Sequence, residues 1–188
     1  MPRFSLRRLG WLDGFGIRGH SLLNFGLSIP YSQPSNPKVE SARLKVNLLV
    51  IGYGNTLRSD DGVGPRVADS VEALNLAGVC TLSCGLLTPE LADPISRARR
   101  VIFVDASVDV PAKIQLRPLS AGDSAQIMAH AADPRTLLAL ARDVFGRVPE
   151  AWWLTIPAEN LGIGEELSPR AQHGFAKAID EIRRIARS

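Results

Sequence analysis

The sequence predicts an α/β domain, a three-layer α/β/α sandwich of phosphorylase/hydrolase-like type around a mostly parallel sheet. Three observations lead there. Short β-branched runs recur along the chain, apolar stripes of helical spacing separate them, and the changeovers carry glycine, proline or capping residues. Strands that alternate with helices pair in parallel through right-handed crossovers.

The regular pattern starts near Leu44. Val46-Asn-Leu-Leu-Val-Ile-Gly52 has the look of a buried parallel strand. Asp60 or Asp61 is placed to cap a helix starting near Gly62, with Val63, Val67, Val71 and Leu74 on its core face. Val79–Ser83 is a second strand. Thr88-Pro-Glu90 opens a short helix to about Arg97, with Thr88 as cap. Arg100–Asp105 is a third strand, apolar until its last residue, and Lys113–Arg117 alternates as an edge strand would. Asp133-Pro134 starts a helix that Gly146 ends, with Leu137, Leu138, Ala141 and Val144 on one side. Trp152–Ile156 is a further strand, with one tryptophan directed to each face. Ser168-Pro169 opens the last helix, striped by Phe175, Ile179, Ile182 and Ile185.

The remaining N-terminal part, residues 1–44, reads as a flexible extension ahead of the 45–188 domain. Its aromatics and glycines keep no period, and Tyr31–Lys38 is linker chemistry. Asp13 and scattered glycines break up any export signal. The extension carries six basic and two acidic side chains, whereas residues 45–188 carry sixteen and seventeen. A near-neutral domain offers no footprint for nucleic acid. No apolar run approaches the roughly 18 residues of a membrane helix. Cys80 and Cys84 are too few for a closed zinc site and, at about 13 Å apart along a strand, too distant to bridge. Reduced, partly buried thiols and a cytoplasmic location are expected.

Ligands of open parallel sheets bind beyond the carboxyl ends of the strands. Two strands deliver acids there: the first runs into Gly52–Gly64, which holds Asp60 and Asp61, and the third ends at Asp105. His130 precedes Asp133-Pro134, while His20 falls in the extension and His173 on the last helix. Two carboxylates and an imidazole suit a borderline divalent ion such as nickel or zinc, and equally suit general-base activation of water. Taken singly, Asp60 and Asp61 read as caps or loop braces, Asp105 equally as a paired structural acid or a site residue, and His130 as a surface histidine. Gly52-Tyr-Gly54 is a poor dinucleotide motif because Leu57 stands where the third glycine belongs.

Asn47–Gly64, Leu87-Thr-Pro-Glu-Leu-Ala92, Val101–Ala106, His130 ahead of a helix, and Gly164–Pro169 together resemble the hydrogenase maturation proteases. The resemblance implies an α/β/α endopeptidase that removes the C-terminal extension of a [NiFe] hydrogenase large-subunit precursor already carrying nickel. It places the family's metal-contacting and catalytic positions on Asp61, Asp105 and His130, with Glu90 and Asp60 as further acids. It implies nickel supplied by the precursor and no permanent cofactor, and a monomer that uses neither nucleic acid nor membrane. Cys84-Gly-Leu-Leu87 departs from the histidine-glutamine pair of some relatives. Three rival readings remain: a nucleotide-binding α/β enzyme, whose phosphate Asp60 and Asp61 would repel, a non-catalytic nickel-sensing chaperone, and an enzyme with its own zinc.

Overall fold

The computed structural model describes residues 46–109, 113–122 and 133–188; the extension 1–44 and His130 lie outside them. Five strands form one sheet in the order β2-β1-β3-β5-β4: β1 Val46–Tyr53, β2 Val79–Cys84, β3 Ala98–Ser107, β4 Gln115–Leu119 and β5 Glu150–Pro157. All neighbouring pairs are parallel except β4, which runs antiparallel to β5 at the edge. β4 carries Pro118, a residue sheets admit at their edges.

Two layers of helix cover the sheet. Helix α1 (Val63–Ala73) and helix α4 (Pro169–Arg187) pack on one face through Val63, Val67, Val71, Ala178, Ile182 and Ile185. Helix α2 (Ala92–Arg97) and helix α3 (Pro134–Phe145) cover the other through Ala92, Ile95, Leu137, Leu138 and Ala141. Phe103 and Ile102, adjacent on β3, are fully buried on opposite faces, so the central strand feeds both cores. Each such side chain contributes about 1.5–3 kcal/mol by leaving water. Trp153 joins the α2/α3 core and Trp152 the α1/α4 core, one to each face as alternation requires.

Local chemistry explains most boundaries. Asp133 accepts a 2.8 Å bond from the Arg135 N–H at the start of α3, Pro134 follows it, and Gly146 ends the helix at φ 70°. Ser168 Oγ accepts from the Ala171 N–H at 3.2 Å and opens α4 in the same way. A Cβ on Gly64 would stand 2.4 Å from the Tyr53 carbonyl oxygen and 2.5 Å from that of Val104. Only glycine lets α1 begin against the ends of β1 and β3.

Several expectations are corrected. Neither Asp60 nor Asp61 caps α1: Gly62 holds that position with no side-chain bond, after a 3-10 turn at Ser59–Gly62. The helix expected from Thr88 to Arg97 splits into a 3-10 turn, Pro89–Leu91, and α2, and Thr88 accepts no cap bond. β4 is displaced to Gln115–Leu119, and Val144 is exposed. Cys80 is exposed rather than partly buried; Cys84 is half-buried, and both thiols are free. Among the described residues no helix is long and apolar enough to cross a membrane.

Candidate active site at the carboxyl edge of the sheet

The chain leaves β1 toward β2 on one side and later enters β3 on the other, so the winding reverses between β1 and β3. Crevices of this kind are where open α/β sheets take their ligands. Leu49, Ile51 and Tyr53 on β1 share the α2/α3 face with Val101 and Phe103 on β3. Strand alternation places Asp105 on that face too. The parallel register, Gly52 beside Val104, then sets Tyr53 next to Asp105. The Tyr53 hydroxyl donates to Asp105 Oδ2 at 2.8 Å.

Burial raises the Asp105 pKa to about 6; the Tyr53 hydroxyl and the Ala106 N–H pull it down, and the Asp61 charge pushes it up. Asp61 therefore lies close enough for its charge to act on Asp105. The structure sets Asp61, on the loop after β1, at the same end of the sheet as Asp105 on the neighbouring β3. Burial also lifts the Tyr53 phenol well above its usual range, reinforced by Asp105 and by the Asp133 charge at the start of α3.

The loop after β1 is built to present Asp61. Gly54 sits at φ 134°, and a Cβ there would fall 1.9 Å from the Asp61 carbonyl oxygen. The Asn55 N–H donates to Asp61 Oδ2 at 2.9 Å, and Asn55 Oδ1 accepts from the Leu57 N–H at 2.9 Å. Asp61 is thus oriented by the backbone it follows.

Asp60 points the other way and braces the fold. Fully buried, it accepts from the N–H groups of Glu159, Asn160 and Ser168 at 2.8, 2.9 and 2.7 Å, and from Ser168 Oγ at 2.8 Å. Desolvation raises its pKa, but these donors outweigh it and the net shift is downward. A bridge between Arg58 and Gly164 ties the same two loops. Glu90 is exposed on the Pro89–Leu91 turn, and His173 is exposed on α4.

Residues that the sequence reading passed over complete the surroundings. Tyr53 is the first; its signal was the strand alternation that puts it on the face of Asp105. Trp153 Nε1 and Thr155 Oγ1 are buried with no partner of hydrogen-bond geometry, and Thr155 pairs in register with Asp105. The Trp153 N–H nevertheless lies near enough to the Tyr53 oxygen to temper its pKa. Among the described residues no three His, Cys, Asp or Glu side chains gather as a metal site. Burial raises both thiol pKa values, which leaves neither cysteine as a ready nucleophile. Leu57, Leu86, Val108 and Ile163 project into solvent from the segments that follow β1, β2, β3 and β5. Apolar side chains therefore stand along the same edge as the acids.

No protein-family model and no curated protein sequence matches the chain. Solved structures do match. A hydrogenase 2 maturation peptidase from a Thaumarchaeota archaeon is 24% identical, over 74% of this chain and 97% of that one, with a TM-score of 0.55. The [NiFe] hydrogenase maturation protease HybD from Thermococcus kodakarensis is 22% identical over 75% and 99%, at 0.56. The hydrogenase maturating endopeptidase HybD from E. coli is 22% identical over 76% and 93%, at 0.58. The chain has the fold of these proteases.

Proposed function

We propose that the chain is a hydrogenase maturation endopeptidase that removes the C-terminal extension of a nickel-loaded [NiFe] hydrogenase large-subunit precursor. The observation that carries this reading is the presence of Asp61 and Asp105 on adjoining strand ends at the winding reversal. Among the described residues neither forms an ion pair with a basic side chain, and the charge of Asp61 raises the pKa of Asp105. Two carboxylates at one crevice with no basic side chain paired to either suit a cation that arrives with a ligand. The shared fold supports the protease class, and the apolar side chains along the edge suit a protein substrate better than a small polar one.

His130 completes the set in this reading. It lies outside the described residues, and its part in the set comes from the resemblance alone. The nickel belongs to the substrate. Two oxygen ligands and an imidazole nitrogen match its preferences, and cleavage becomes conditional on loading. The ion would polarise a carbonyl group. A carboxylate of the site not engaged by the ion would accept a proton from the attacking water.

Co-expression with a nickel-loaded large-subunit precursor, read by intact mass, tests the proposal. The wild-type chain is expected to shorten the precursor; Asp61→Ala, Asp105→Ala and His130→Ala are expected to leave it full length. A precursor of unchanged mass beside the wild-type chain contradicts the reading.

A further inference from the structure

We infer that Tyr53 is a positioning residue for Asp105, holding its carboxylate in the one orientation in which it meets the precursor's ion; the inference rests on the reading above. Asp105 follows the apolar run of β3 and, among the described residues, forms no ion pair that would orient it. An aspartate's last torsion joins a tetrahedral to a planar carbon and is soft, so a carboxylate alone samples a broad range. The 2.8 Å bond from the Tyr53 hydroxyl to Oδ2 removes that freedom.

Tyr53 is itself well anchored. Its ring packs against the α2/α3 core, at the end of a strand paired on both sides. Gly54, directly after it, is tied to the Cys84 carbonyl by a 3.2 Å bond from its N–H. The hydroxyl is thus a donor at a set point. A carboxylate has about four acceptor sites; the phenol and the Ala106 N–H each take one, and those remaining are presented in a constant direction. A partner that orients a metal ligand in this way typically contributes 10- to 100-fold in affinity or activity.

Phenylalanine fills the same apolar slot without the hydroxyl, which makes Tyr53→Phe the informative change. Binding of Ni2+ alone, followed by calorimetry, is expected to weaken about 10-fold, and precursor cleavage to slow by a similar factor. The melting temperature is expected to stay within about 5 °C of wild type, as loss of one net hydrogen bond implies. In an Asp105→Ala background the same substitution is expected to alter Ni2+ affinity less than about twofold, because Tyr53 then has no carboxylate to hold. General loosening of the fold would weaken both backgrounds alike. Wild-type Ni2+ affinity and cleavage in Tyr53→Phe overturn the inference and leave the protease reading standing. So does a loss that appears only together with loss of the fold, or equally in both backgrounds. A wild-type chain that leaves the loaded precursor intact removes the reading, and the inference with it.

Discussion

Asp105→Asn is expected to melt higher than wild type at pH 7.5 while losing at least about 100-fold in precursor cleavage. The two effects share one cause. The folded protein holds the Asp105 pKa at about 6 against an ordinary 3.8, first through burial and also through the Asp61 charge. Between those values the folded state keeps a proton that the unfolded chain has lost. The stability this proton contributes is complete below about pH 3.8 and disappears as pH rises through 6. Above pH 7 the ionised group thus costs up to about 3 kcal/mol, and less where solvent reaches it.

Asparagine keeps an acceptor for Tyr53 and carries no charge. It is expected to add about 2 kcal/mol near neutrality, roughly 5 °C in melting temperature, and almost nothing at pH 4. Thermal melts of both proteins at the two pH values make the comparison. A lower melting temperature for the variant at pH 7.5, or the same gap at both, would contradict the assignment. A site of this kind trades stability for a poised charge.

Asp60→Ala is expected to act in the opposite sense, with a loss of about 4 kcal/mol. Removal of the carboxylate strands three backbone N–H groups and the Ser168 hydroxyl, part-buried donors gathered around a fully buried residue. Each unpaired buried donor costs about 1–3 kcal/mol, and small domains have only about 5–15 to lose. Because the Asp60 pKa is lowered in the fold, its contribution is present above the ordinary carboxylate range and is lost as pH falls through the lowered value. Denaturant titration at pH 7 gives the magnitude. A change below about 1 kcal/mol would show that the four bonds do not tie the 159–168 segment to the loop that presents Asp61.

These neighbouring aspartates show what a sequence does and does not display. Adjacent in the chain, they are chemically identical, and both fit a helix start. The φ of 134° at Gly54 and the 3-10 turn at Ser59–Gly62 separate them, sending one into the loop bracing and the other toward Asp105. Period was enough for four of the strands and for the helices Val63–Ala73, Pro134–Phe145 and Pro169–Arg187, since each depends on neighbours within a few residues, while β4 lies two residues beyond its expected place. The split of the Thr88–Arg97 segment was not visible, because Pro89 permits a helical start without deciding its pitch. Tyr53 escaped notice for a related reason. Its partner lies on another strand, and its role emerges only when the alternation of β1 is laid beside that of β3.

The reading turns on the ion's being the precursor's own, and one comparison addresses this directly. Purified large-subunit precursor, prepared with and without nickel in its active site, is incubated with the chain and weighed by mass spectrometry. Shortening of the loaded form alone is the predicted result. Equal cleavage of both forms, or cleavage of neither, would contradict it.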